Sequence, residues 1–227
     1  MKLKTWLTRG LMVIIPATAL LVVWNFGAIQ SKVRHARAAD HLKNSIEAAS
    51  SGDWTTSMKL SLAAWQLKEG DVAILRQVFA SAKAVRSGLL IESAEALSLH
   101  PSATPSDRLD VLTFYLQIGD MLRFRRLMLR LPAEEANAPD VMSLAIRYSL
   151  ARNDNSRALA LSKKLLEERN DKIDRLLAAE VYLRIPTENN RAQADAFEII
   201  KQLFSADENP AIALAAFDLI RQVPDEY

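Results

Sequence analysis

The hydrophobic residues of this chain follow two patterns. Over most of the length they recur every three or four positions, as in Val141, Leu144 and Tyr148, a spacing that gives a helix one buried stripe. Residues 11–29 instead form a continuous apolar run without an ionisable side chain. The first pattern predicts a set of amphipathic helices, and the second predicts one membrane-spanning helix.

The apolar run has the length of a membrane span. At ~1.5 Å per residue it reaches about 28 Å, close to the ~30 Å hydrocarbon core of a bilayer. Trp6 and Trp24 lie near its ends, where indole rings favour the interface. A cleaved signal peptide has a shorter apolar region, so we predict a permanent anchor. The predicted division is residues 1–30 for a basic tail and transmembrane anchor and residues 31–227 for a helical-repeat domain.

Basic residues flank the apolar run on both sides. They are Lys2, Lys4 and Arg9 before it and Lys32, Arg34 and Arg37 after it. Positive charge beside a hydrophobic segment suits anionic lipid headgroups, so no nucleic-acid partner is expected. A short basic tail ahead of an uncleaved span stays in the cytoplasm. We therefore predict a single-pass membrane protein with its repeat domain outside the cytoplasm.

Short polar turns interrupt the helical pattern at a regular spacing. Strong turns stand at Gly52-Asp53, Gly119-Asp120 and Asn153-Asp154, and weaker counterparts stand at Ser87-Gly88 and Asn189-Asn190. The last two strong turns are about 34 residues apart, and the first two are close to twice as far apart. We call this spacing the repeat interval. It marks stacked helix pairs, because no single pair buries its own apolar face. With only 6 glycines and few β-branched clusters, the predicted fold class is all-α.

Around these turns the chain resembles the tetratricopeptide-repeat family, over roughly Asp40 to Val223. Four small or aromatic residues match the family at set offsets from the turns: Ser57, Ala64, Tyr115 and Ala158. Three bulky residues depart from it, since Phe124 replaces an alanine, and Leu112 and Ile146 replace glycines. The resemblance implies antiparallel helix pairs stacked into a superhelix (a solenoid), with peptide partners along the concave wall of the first helices.

Carrying that implication over by the repeat interval gives four partner-binding candidates. Thr113 is equivalent to Arg147, Leu109 is equivalent to Ser143, and Gln117 lies one turn beyond Thr113. We therefore predict that Thr113, Gln117, Ser143 and Arg147 line the groove. The alternative is that they are ordinary exposed helix positions.

Little in the sequence points to chemistry. The chain has no cysteine and no glycine-rich phosphate loop, and His35, His41 and His100 lack partners at metal-ligand spacing. We expect no catalytic residue, cofactor or metal, and we expect His100 to close a helix end. A helical-repeat cell-envelope enzyme could use a lone buried glutamate, such as Glu180 beside Leu177 and Val181.

Two surface features bear on partners. Arg123, Arg126 and Arg130 share one helix face, as a solvated surface or as a clamp for carboxylates or phosphates. The last helix carries more apolar residues than one stripe requires, including Ile212, Leu219 and Ile220, so it docks on a second copy or a partner, or the repeat array continues. The leading hypothesis is a membrane-anchored scaffold or adaptor that binds a partner protein near the membrane as an assembly or biogenesis factor. Its architecture resembles that of bacterial inner-membrane repeat proteins, which implies the same membrane for this chain. The alternative is a structural protein that self-associates through this helix without a separate client.

Overall fold

A computed structural model describes residues 27–184, 191–206 and 210–221, and every regular element in these ranges is helical. The helices are α1 (residues 27–50), α2 (Trp54–Leu67), α3 (Val72–Val85), α4 (Leu90–Leu99), α5 (Pro105–Gln117), α6 (Met121–Met128), α7 (Ala133–Ala136), α8 (Pro139–Ala151), α9 (Asn155–Glu168), α10 (Lys172–Arg184), α11 (Arg191–Ala206) and α12 (Pro210–Arg221). The all-α prediction is confirmed.

The predicted anchor falls mainly on residues 11–26, which lie outside the described ranges, as do Trp6, Trp24 and the Asn189-Asn190 turn. Within those ranges, no helix combines the length and the apolar character that a bilayer crossing requires. The predicted domain boundary after residue 30 falls inside α1, which runs unbroken from residue 27 to residue 50.

Left-handed backbone conformations mark the repeat. In the part of the chain that the structure describes they occur at Gly52 (φ 85°), Arg86 (φ 53°), Gly119 (φ 73°) and Asn153 (φ 57°), so each follows the one before it by one repeat interval. At each turn the next residue donates its N–H to a carbonyl five positions back, as from Asp120 to Tyr115 at 2.9 Å. This bond closes a Schellman motif, which satisfies carbonyls at the end of a helix. The weak turn predicted at Ser87-Gly88 thus belongs to the series, but its left-handed residue is Arg86.

Aspartates cap the helices that follow the strong turns. Asp53, Asp120 and Asp154 accept hydrogen bonds from the N–H groups three positions later, at 3.0, 3.0 and 3.2 Å. Such a cap satisfies an orphan donor and contributes about 1 kcal/mol. Thr104 and Asp107 cap α5 reciprocally, with Thr104 N–H to Asp107 Oδ2 at 2.7 Å and Asp107 N–H to Thr104 Oγ1 at 3.3 Å.

The chain is irregular just before Pro132. The helix α6 ends at Met128, and Ala133–Ala136 forms the one-turn helix α7. Proline disfavours helical backbone in the residue before it, so the chain turns there and restarts after Pro132.

The chain divides into two compact units, Met1–Asp107 and Arg108–Tyr227. In the amino-terminal unit, α1, α2 and α3 share a core of small and branched side chains: Ala38, Ala64, Ile74 and Val78. Three fully buried serines lie between the same helices, with Ser57 Oγ 3.0 Å from Ser45 Oγ and 2.7 Å from Ser81 Oγ. Their small size permits close helix packing, and the hydroxyls satisfy one another's hydrogen bonds.

The carboxy-terminal unit buries a longer apolar series, with Met142, Ile146, Leu150, Leu165, Leu177 and Val181 among its members. From α8 to α12 each helix packs against the next one in the chain, and α10 also contacts α8 and α12. Phe124 is fully buried and stacks on Tyr148, with ring centroids 4.8 Å apart and planes 15° apart. Phe124 stands where the resembled family has alanine, and its larger ring is accommodated by stacking on Tyr148.

The last described helix, α12, is apolar on two sides. Ala216 is buried and Leu219 packs against the core of α10 and α11, whereas Leu214 and Phe217 are 62% and 49% exposed. One apolar stripe of α12 therefore packs against the core, and the second apolar stripe faces away from it.

Candidate partner-binding site

Three helices, α5, α8 and α10, line most of a cavity of about 520 Å³ in the carboxy-terminal unit. We call it the partner cavity. Its polar lining consists of Thr113, Gln117, Arg147, Glu180 and Arg184, and its apolar lining consists of Leu116, Met121, Leu144, Leu150 and Ala151. The structure therefore brings together three of the four predicted residues, Thr113, Gln117 and Arg147.

The positions of the lining residues recur along the sequence. Two series of residues contribute to the lining. Successive residues of each series are one repeat interval apart, to within a single position. The first series is Thr113, Arg147 and Glu180, and the second, one helical turn later, is Gln117, Ala151 and Arg184. Side chains four positions apart share one face of a helix. Each of the three helices α5, α8 and α10 thus presents two equivalent positions to the same wall.

The charged groups of the partner cavity are not balanced. Arg184 Nη2 donates to Glu180 Oε1 at 2.8 Å, so these two charges form a pair within α10. Arg147 is exposed, and within the described residues it makes no hydrogen bond or ion pair. The cavity therefore offers one guanidinium to an incoming group, beside apolar surface from Leu116 and Leu144.

No family model, curated protein or solved structure matches this chain. The assignment of the site therefore depends on its geometry and on the interval between its residues.

Ser143, the fourth predicted residue, is not part of the lining. Its hydroxyl donates to the Pro139 carbonyl at 3.0 Å and lies 3.4 Å from Asp174 Oδ1. Asp174 is buried, and Arg169 donates to its carboxylate from Nε at 2.6 Å and from Nη2 at 3.1 Å. Ser143 thus belongs to a polar link between the first turns of α8 and α10, next to the cavity wall.

Arg169 completes that link. It also donates to Asp140 Oδ1 at 2.7 Å, so one side chain joins α8 to α10. The bonds to Asp174 and then to Asp140 raise the pKa of the guanidinium above its ordinary value, because both stabilise the charged form. The link holds two of the three cavity-forming helices in register.

The sequence interpretation missed the part that Glu180 and Arg184 play in the cavity. Glu180 was considered only as a lone buried acid, but its side chain is 23% exposed and is paired with Arg184. Its position one repeat interval after Arg147 was the signal that would have placed Glu180 on the same wall.

The other singled-out residues lie away from the partner cavity. His100 ends α4 as predicted: its Nδ1 accepts the Ser102 N–H at 3.0 Å, and its Nε2 lies 3.2 Å from the Gly70 carbonyl oxygen. Within the ranges described, no group of three or more histidine, aspartate or glutamate side chains is arranged to hold a metal ion.

A second cavity, of about 580 Å³, lies in the amino-terminal unit. Trp65, Leu75 and Leu89 supply apolar lining, and Glu69 and Glu92 supply two carboxylates. Neither glutamate has a hydrogen-bonding or ionic partner in the described part of the chain. The two cavities thus differ in the sign of their unpaired charge.

Proposed function

We propose that this chain is a tetratricopeptide-like scaffold, anchored in the bacterial inner membrane by residues 11–29, whose extracytoplasmic repeat domain holds a segment of a partner protein in the partner cavity. The observation that carries the proposal is the lining of that cavity by equivalent positions of α5, α8 and α10, which recur at the repeat interval.

Two features of the backbone support a stacked-repeat architecture. The four Schellman turns recur at the repeat interval, and from α8 to α12 the packing order follows the order in the chain. Arrays of helix pairs bury their apolar faces between neighbours and leave an extended wall for binding. A wall of this kind binds an extended peptide along several equivalent positions.

The lining also indicates the chemistry of the occupant. The Arg147 guanidinium presents a planar set of donors that matches a carboxylate. Beside it, the partly exposed Leu116 and Leu144 offer a surface for one or two apolar side chains. We expect a partner segment in which an aspartate, a glutamate or a carboxyl terminus lies next to a bulky apolar residue.

Site-specific cross-linking tests the proposal in the native membrane. A photoreactive amino acid at Gln117, which is exposed at the cavity, should give a discrete adduct with one partner protein. Arg147→Glu should reduce that adduct roughly tenfold or more, because it places a negative charge opposite the partner's carboxylate. Arg157→Glu is the matched control, since Arg157 is exposed in α9 and is not part of the lining. An adduct that persists unchanged in Arg147→Glu would rule out this use of the cavity.

A second candidate function is self-association without a separate client, and the exposed stripe of α12 favours it. Leu214 and Phe217 are available to a second copy, whereas Leu219 belongs to the core. Light scattering on the full chain in detergent would distinguish the two functions. An oligomer that dissociates in Leu214→Glu with Phe217→Glu supports self-association, and a monomer in both forms excludes it.

A further inference from the structure

The outward face of α6, together with Leu129 and Arg130 just after its end, combines strongly exposed leucines with arginines that have no side-chain partner in the described residues. Phe124 and Leu127 are buried on the inner side of the helix, at 1% and 5% exposure. At about 100° per residue the opposite side carries Leu122 and Leu129. They are 68% and 76% exposed, the highest values for large apolar side chains in the ranges described.

Arginines border this pair of leucines. Arg125 lies on one side of the line that joins them, and Arg126 lies on the other, followed by Arg130. All three are exposed, and in the part of the chain that the structure describes none has a hydrogen bond or an ion pair through its side chain. Arg123 differs, because it donates to Asp120 Oδ2 at 2.6 Å. We call Leu122, Arg125, Arg126, Leu129 and Arg130 the α6 ridge.

The charged and apolar residues of the α6 ridge indicate which kind of surface it binds. Three cations without counter-charges suit an anionic surface, and two protruding leucines suit an apolar layer directly beneath it. The interface of an anionic bilayer supplies both, with phosphates for the guanidinium groups and the headgroup–acyl boundary for the leucines. The long arginine side chains reach the phosphates while their stems cover the leucines.

Size argues against an acidic protein as the occupant. The ridge extends over two helical turns, about 10 Å, with only two apolar side chains. A stable protein interface buries about 800 Å² on each partner and involves about 20 residues a side. A bilayer adapts to a narrow convex ridge and accepts each leucine separately.

We propose that the α6 ridge lies on an anionic lipid surface, with Leu122 and Leu129 inserted at the headgroup–acyl boundary. The ridge shares no residue with the lining of the partner cavity. The contact would orient the carboxy-terminal unit on the membrane, and it is a function separate from partner binding.

The chain lacks cysteine, so a single introduced cysteine gives a clean fluorescent label. The full-length Leu129→Cys variant, labelled with an environment-sensitive dye, is reconstituted into two kinds of nanodisc. One contains phosphatidylcholine alone, and the other contains about one third phosphatidylglycerol, to give an anionic surface. Quenching by a lipid-attached quencher then measures the fraction of dye in contact with lipid.

We expect strong quenching in the anionic nanodiscs and weak quenching in the neutral ones. Each arginine near an anionic surface is worth about a fivefold change in the equilibrium, so Arg125→Gln with Arg126→Gln should lower the ratio of lipid-bound to free dye about 25-fold. Because the dye is itself apolar, comparisons are made between lipids and between charge variants that carry the same label. Ile173→Cys, at a position 62% exposed in α10, is the control site and should show no lipid-dependent quenching.

Three results would overturn the proposal. They are no quenching at Leu129→Cys, equal quenching in neutral and anionic nanodiscs, and equal quenching at Ile173→Cys. Protection of the dye by an added acidic protein, without quenching by lipid, would also overturn it and identify a protein ligand. Far-ultraviolet circular dichroism of each variant verifies that helix content is unchanged, and the cross-link at Gln117 reports independently on the partner cavity.

Discussion

The ion pair between Arg76 and Asp107 gives the amino-terminal unit a stability that depends on pH. Arg76 donates to the two carboxylate oxygens of Asp107 at 2.7 and 2.8 Å, and Thr104 donates to the same group. The Asp107 side chain is only 9% exposed. The bonds from Arg76 first, and those from Thr104, lower the pKa of Asp107 from 3.8 to about 2.

The difference between those pKa values corresponds to about 2 kcal/mol of stability. Because the Arg76 side chain is 41% exposed, water screens the pair, and we expect about 1 to 2 kcal/mol. The folded pKa lies below the unfolded one, so this contribution is complete above about pH 4 and is lost as the pH falls through about 2. Asp107→Asn removes it at every pH.

Urea unfolding of the full chain in detergent, followed by far-ultraviolet circular dichroism, measures the effect. The free energy of unfolding of Asp107→Asn should be about 1 to 2 kcal/mol lower than that of the native chain near neutral pH, and the difference should vanish near about pH 2. Asp110→Asn, an exposed aspartate of the same helix, should change stability by less than about 0.5 kcal/mol. A difference for Asp107→Asn that does not change with pH would refute the assignment to this carboxylate's charge.

Three further substitutions test the packing and the turns. Arg86→Gly should raise the free energy of unfolding by up to about 1 kcal/mol, because a φ of 53° is strained for arginine and not for glycine. A lower melting temperature for this variant would contradict the strain. Phe124→Ala should cost about 3 to 5 kcal/mol in urea unfolding, since it removes a buried ring stacked on Tyr148, and a loss below about 1 kcal/mol would show that the site refills. Arg169→Gln should cost about 1 to 3 kcal/mol, because it leaves the buried Asp174 carboxylate without its cation. It should also increase hydrogen exchange in the first turns of α8 and α10, and unchanged exchange there would contradict the link.

The turns show what the sequence could predict and where it failed. Gly52, Gly119 and Asn153 are residue types that favour left-handed backbone, so the sequence pointed to them directly. Arg86 has no such preference, yet it takes the left-handed position beside the bond from the Ser87 N–H to the Ala82 carbonyl at 2.9 Å. The sequence marked Gly88 instead, because glycine is the residue that a left-handed turn normally takes.

The sequence predicted only part of the candidate site. The repeat interval found Thr113 and Arg147, because equivalent positions on equivalent helices reach the same wall. The same interval also selected Ser143, whose hydroxyl bonds within α8 and lies against Asp174. The sequence interval predicts which helix, and which turn of that helix, a residue occupies. It does not predict which neighbouring groups form hydrogen bonds with the side chain.

The recurring turns have a consequence for how the chain folds. Each Schellman motif closes with bonds between residues no more than five apart, so the reversal between two helices can form without any distant contact. Loop-closure entropy is then small at every step, and folding is expected to be fast and able to start from more than one nucleus. A destabilising change in one pair should therefore speed local opening there, while distant pairs continue to protect their amides from exchange.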